Sequence, residues 1–447
     1  MMSVSSKDLA NKSINSLLIK QAVPASIGIL FLTVNLLIDT IFVGRWIGSL
    51  AIAALSVVMP ITFFISSMGM AIGIGGSSVL SRALGKGNHE KAVATFAHQI
   101  MMTFGVSSLF VIAGLFFSEE ILFMFGANGA IMAPAKEFFM PILLAVPLQA
   151  FCMMGNTVIR AEDKARHAMI AMIVAAISNI ILDILFIKVF GWGISGAATA
   201  TALSFLFCFL YIFWFFIKKS ELRLKLSSFV FHPELVKEIT SLSFVTFARQ
   251  GVISILAIIL NHTLYAEGGE QAVAIYGIIS RMLMFMLFPV LGVTQGFMPI
   301  AGYNYGAGNY IRVKEAIITA VKYATYLSVI IFAVVFSFAK PITALFTTDA
   351  GVIQDTPGAL RWVFAASPII AVQLIGGAYF QAAGKATKAL LLTLSKQGFF
   401  LIPLVLILPL FFGIFGVWVA FPVSDVLSTL LTGLFLKKEM STHLKPE

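Results

Sequence analysis

Polar positions in this chain fall in short clusters, and the apolar stretches between them are too long for strands or ordinary core helices. About 20 apolar residues in a row are what a helix needs to cross a hydrocarbon layer. Twelve such stretches are read, at roughly 21–43, 51–80, 93–118, 134–157, 167–190, 194–217, 239–265, 272–301, 316–338, 359–381, 388–411 and 414–436. The longest charged connection holds Lys218, Lys219, Glu221, Arg223, Lys225 and then His232-Pro233. It divides the spans six and six. The pattern predicts an all-α polytopic membrane protein, with an N-terminal lobe over 1–217, a cytoplasmic linker over 218–238 and a C-terminal lobe over 239–447. Residues 1–20 are polar and the first apolar run is followed by others, so that run is read as a retained span and not as a cleaved leader.

Composition strengthens this picture. The 447 residues are 59% hydrophobic and 11% charged, against about 25% charged in soluble domains. The formal charge of +10 would suggest nucleic acid in a soluble protein. Here the cations sit in short loops, where they set membrane orientation, and no nucleic-acid partner is expected. One set of loops carries Lys7, Lys12, Lys20, then Arg82, Lys86, Lys91, then Arg160, Lys164, Arg166, the linker, Arg312, Lys314, Lys385, Lys388, Lys437, Lys438 and Lys445; the alternate set is poor in cations. Both termini and the linker are therefore expected in the cytoplasm. Cys152 and Cys208 both fall in apolar segments and read as buried free thiols.

The two halves repeat. A shift of 221 positions carries Ala51-Ile52-Ala53 onto Ala272-Val273-Ala274, Gly75 onto Gly296, Gly85-Lys86-Gly87-Asn88 onto Gly306-Ala307-Gly308-Asn309, and Pro147 onto Pro368. With six spans in each half, both halves enter the membrane from the same side, so the repeats are parallel. Two such lobes are the architecture of an alternating-access transporter. The Gly-x-Gly-Asn stretches lack the lysine-serine follow-on of a phosphate loop and read as tight turns between helices.

Against this apolar background a few residues are expensive. Asp183 lies deep in the fifth span, four residues after Asn179, so both share one helix face. Asp39 lies in the first span, four residues after Asn35. A carboxylate near a span centre costs about 2.5–3.5 kcal/mol on insertion scales. If Asp39 and Asp183 approach each other away from water, both cannot stay charged, and the pair takes up a proton or a hard cation.

Many short stretches, in order, resemble the multidrug and toxic compound extrusion (MATE) transporters: Pro24; Asp39-Thr40-Ile41-Phe42-Val43-Gly44; Ala53-Ala54-Leu55-Ser56; Leu84-Gly85-Lys86-Gly87-Asn88; Asn156 with Arg160-Ala161; Ile278-Ile279-Ser280-Arg281; Gln295-Gly296-Phe297-Met298-Pro299; Gly302-Tyr303-Asn304-Tyr305-Gly306-Ala307; and Phe380-Gln381-Ala382-Ala383-Gly384-Lys385. The resemblance covers nearly the whole chain. It implies cation-driven export of organic, mostly cationic amphipathic compounds. In the family's DNA-damage-inducible branch it implies that Asp39, Asn179 and Asp183 carry the coupling, with Thr201 as a further ligand and Ala197 offering a carbonyl one turn earlier. The sodium-coupled branch has acids in spans seven and ten; here Phe247-Ala248-Arg249-Gln250-Gly251 and Trp362 to Phe380 contain none. Proton coupling through the N-terminal lobe is thus favoured, with sodium at the same side chains (Asp39, Asn179, Asp183, Thr201) as the alternative.

Other residues receive narrower readings. Pro24 removes a backbone hydrogen bond inside a span and is a candidate hinge. Asn35, Asn156 and Met153 are expected at the substrate cavity, and Phe151, Met154, Met282 and Met286 could add adaptable apolar surface. Asp425 in the twelfth span is expected to pair structurally with Arg249 or Lys396. A lipid-linked oligosaccharide flippase is a weaker reading, because the first-lobe spans carry acids where a pyrophosphate carrier needs cations. An intramembrane aspartyl protease is weaker still, because Leu37-Ile38-Asp39 and Ile181-Leu182-Asp183 lack the usual flanks. The expected protein is a monomeric secondary transporter of the plasma membrane (a bacterial or archaeal inner membrane). It exchanges drugs or toxic metabolites for protons or sodium among membrane lipids, without a bound cofactor and without enzymatic chemistry.

Overall fold

A computed structural model describes residues 4–347 and 349–444, apart from the side chains of residues 4–7 and Ser49. Lys445 and the Lys7 side chain, counted above among the orienting cations, therefore lie outside the described residues. A short helix, Val4–Asn11, precedes the spans. The first six follow as Ile14–Trp46, Ser49–Gly85, His89–Phe116, Met132–Ala161, Ala165–Asp183 continued by a π-helical turn over Ile184–Val189, and Gly193–Lys218. Spans seven and eight form one run, Pro233–Gly306, broken at Gly269 by non-helical angles (φ 62°, ψ −156°). Span nine is Tyr310–Ala344. Span ten is built from Ala350–Phe364 and Ile370–Ala382, joined by a 3₁₀ turn that contains Pro368. Span eleven begins as Ala386–Leu394, widens into a π turn over Ser395–Leu401 and ends at Phe412; span twelve is Ile414–Thr442. All twelve expected spans are present, each longer than its apolar core because polar flanks continue the helix.

The Gly-x-Gly-Asn stretches are turns, as expected. Gly87 and Gly308 adopt φ of 72° and 73°, a left-handed conformation that glycine takes at no steric cost. Asn88 and Asn309 then cap the next helices by accepting hydrogen bonds from the amides of Lys91 and Arg312.

Packing divides the chain into two compact units. One comprises 1–8 and 27–247, the other 9–26 and 248–447, so the division falls within the short first helix and the first and seventh spans and not in the 218–238 connection. Two glycines related by the repeat account for this membership. In the first unit a Cβ on Gly75 would stand 2.6 Å from the Ser243 amide nitrogen and 2.8 Å from the Ile239 carbonyl; in the second, one on Gly296 would stand 2.7 Å from the Ala22 amide nitrogen. Each glycine lets the opening half of a span lie backbone to backbone on its neighbour.

The first unit has two apolar layers. One gathers Val43, Leu55, Val58, Phe138, Phe139, Ile187 and Ala197; the other gathers Leu80, Phe96, Phe151, Cys152, Met154, Cys208 and Ile212. Phe151 and Met154 are thus core residues, which corrects the reading of them as cavity surface; Met282 is buried too. Cys152 and Cys208 are free and buried. The longer connections are pinned by polar contacts. Glu238 pairs with Arg82 and Lys91 at 2.9 Å each. Glu162 accepts hydrogen bonds from the Ser220 hydroxyl (2.5 Å) and the Glu221 amide (3.2 Å).

Candidate ion-coupling site

The first, fifth and sixth spans bring their polar residues together inside the first unit. Asn35 Nδ2 donates to Asn179 Oδ1 at 2.6 Å. Asn179 Nδ2 in turn donates to Thr201 Oγ1 at 3.3 Å. A hydrogen-bonded chain thus runs across three helices. One turn further along, Asp39 on the first span and Asp183 on the fifth interact with each other through their side chains. Helical spacing makes this pairing a consequence of the amide contact: Asn35 and Asp39 share one face, as do Asn179 and Asp183, so two helices that meet at the amides meet again at the acids.

The acids are buried. Asp39 is 7% exposed and Asp183 fully buried. Neither Asp183 oxygen, nor Asp39 Oδ1, has a hydrogen bond of ordinary geometry. Two carboxylates side by side, largely out of water and with three of their four oxygens lacking a donor, cannot both be ionised and left alone. The donor set of two carboxyls, an amide, a hydroxyl and nearby carbonyls fits a proton or a hard monovalent cation. Among the described residues no group of three or more His, Cys, Asp or Glu could hold a metal ion.

The remaining expected residues lie elsewhere. Ala197, fully buried, stands one turn before Thr201 on the sixth span and packs in the apolar layer of Val43 and Phe138. Asn156 donates to the Ala168 carbonyl at 2.7 Å and accepts from Arg160 Nε at 3.0 Å; it ties the fourth span to the fifth and does not join the acids. Met153 is half-buried on the same helix. Pro24 sits within an unbroken helix, two residues before the chain passes from one compact unit to the other. Asp425 pairs with Lys396, 2.6 Å away, not with Arg249. The π turn directly after Asp183 had no signal in the hydropathy pattern.

Twelve apolar spans, with a buried, donor-poor pair of carboxylates inside one unit, define a class, the multi-pass membrane transporters. Within it, the chain belongs to the MatE family, whose model matches residues 24–185 and 243–407, one segment in each half. It is accordingly a transporter and not an enzyme. It is 27% identical over 427 residues to the FAD transporter of Shewanella oneidensis (94% of this chain, 93% of the relative). It is 25% identical over 418 residues to the multidrug export protein MepA of Staphylococcus aureus (93% and 92%). A multidrug resistance MATE transporter of the MOP superfamily, solved in an outward-facing conformation, superposes with a TM-score of 0.94 at 26% identity over 100% of both chains.

Proposed function

We propose that this chain is a cation-coupled multidrug efflux antiporter of the plasma membrane, with both termini cytoplasmic. In this reading it exports organic, mostly cationic amphipathic compounds by alternating access, and Asp39 and Asp183 exchange protons for drug. The single observation behind this is the buried pair of carboxyls beside the Asn35–Asn179–Thr201 chain. Protonation neutralises the pair and favours its dry state. Loss of the protons leaves charge that attracts an organic cation. Ion and drug then exclude each other, which is the condition for exchange. Pro24 serves as the hinge through which the first span responds. The approach of Asp39 to Asp183, one turn from Asn179, supports placement in the DNA-damage-inducible-like branch.

The test is ethidium efflux in energised membrane vesicles, with proton and sodium gradients imposed separately. A proton jump should drive efflux and a sodium jump should not. Asp39→Asn and Asp183→Asn should each abolish efflux while expression is unchanged. Full efflux in both variants sinks the assignment, and efflux on sodium alone replaces the proton with sodium at the same residues. The transport of FAD by one relative bears on substrate range and not on coupling, because FAD carries phosphates.

A further inference from the structure

The second unit holds charges that the acid site does not use. Arg249 lies in the seventh span, Lys396 in the π turn of the eleventh and Asp425 in the twelfth. Lys396 and Asp425 form an ion pair, one cation against one anion. Arg249 has no such partner. Among the described residues it makes no hydrogen bond or ion pair, and its Nε is closed off from solvent. It stands 10 residues into the apolar stretch that begins at about 239, about 15 Å along the axis, too deep for its head to reach the membrane surface by snorkelling.

The seventh and eleventh spans touch at this level. A Cβ on Gly398 would stand 3.5 Å from Val252 Cγ1. Val252 is one turn from Arg249, and Gly398 is two residues from Lys396. The seventh and eleventh spans thus pack together near the level of Arg249, and Lys396 is engaged by Asp425 of the twelfth. The local formal charge is positive by one, inside apolar spans, where an uncompensated cation is expensive. A guanidinium offers a planar fork of donors that matches an oxyanion in two-point geometry. The π turn at Ser395–Leu401 is the kind of helix widening that recurs at functional sites.

We propose that Arg249 forms a subsite for the phosphate of an amphipathic organic anion. Lys396 takes up Asp425, so that carboxylate does not neutralise the guanidinium. This rests on the transporter reading above and widens its substrates from cations to phosphorylated amphiphiles. It places the anion subsite in the unit that lacks Asp39 and Asp183.

The test compares riboflavin 5′-phosphate with riboflavin, which share a ring and differ by the phosphate. Binding to the full-length protein in lipid nanodiscs is read from flavin fluorescence. The phosphate form should bind at least about 10-fold tighter, and the advantage should shrink as salt rises. Arg249→Gln should bring the two affinities together, while Arg249→Lys should keep part of the difference. Equal affinities in the unaltered protein overturn the proposal, and so does an advantage that survives Arg249→Gln. If that variant does not fold, the unaltered protein and its salt dependence still decide. Binding needs no ion gradient, so a negative flavin result leaves the efflux reading standing. Lost efflux in the Asp39 and Asp183 variants likewise leaves the subsite standing.

Discussion

Glu439 meets Lys385 and Lys388, Glu238 meets Arg82 and Lys91, and Asp425 meets Lys396; these acids are held by cations. Among the described residues, Asp39 and Asp183 meet no cation and face each other. Glu162 is intermediate, almost fully buried but hydrogen-bonded by a hydroxyl and an amide. Burial pushes its carboxyl from the ordinary 4.5 up to about 7, against the lowering effect of Ser220 and the Glu221 amide. The folded state therefore holds this proton more tightly than the unfolded chain does. Its contribution to stability is fully present below about pH 4.5 and is lost as pH climbs towards 7. Thermal unfolding of the purified protein should accordingly move to lower temperature between pH 5 and pH 7.5. Glu162→Gln should flatten that slope, removing a term of up to about 3 kcal/mol. An unchanged slope would contradict this account.

At the scale of helices, close contacts matter more than propensity. Gly75 and Gly296 each leave room for another span's backbone. Valine at either position must push backbone apart and should cost about 1–3 kcal/mol or more, read as a lower melting temperature in detergent. Gly105, which has open space where a Cβ would stand, is the control, and Gly105→Ala should be neutral or mildly stabilising. The spans and the Gly-x-Gly-Asn turns were legible in the chain, because hydropathy and left-handed glycine are local properties. The π turns at Ile184–Val189 and Ser395–Leu401 were not, since one added residue per turn leaves an apolar run looking the same. The fates of Phe151, Met154 and Asn156 were equally hidden, because burial within a membrane protein depends on which neighbour a greasy face meets.

For the whole molecule, the alternation of basic and cation-poor loops orients the chain. Ser227 lies in the charged central connection and Ala130 beside the acidic Glu119–Glu120 loop; both are exposed, while the native Cys152 and Cys208 are buried. In intact cells a membrane-impermeant maleimide should label Ala130→Cys and spare Ser227→Cys; inverted vesicles should give the opposite. Labelling of both from one side would break the proposed topology and the count of twelve on which it rests.

The amino-acid sequence alone determined the membrane class, the twelve spans, the repeat and the identity of the costly residues Asp39, Asn179, Asp183 and Asp425. Each of these depends on what one residue or one short window costs in hydrocarbon. The tertiary structure decided what depends on pairs. It joined Asn35 to Asn179 and Asn179 to Thr201, set Asp39 against Asp183, gave Asp425 to Lys396 and left Arg249 without a partner among the described residues. Spacing along one helix states which residues share a face, but only the packing of two helices states what that face meets.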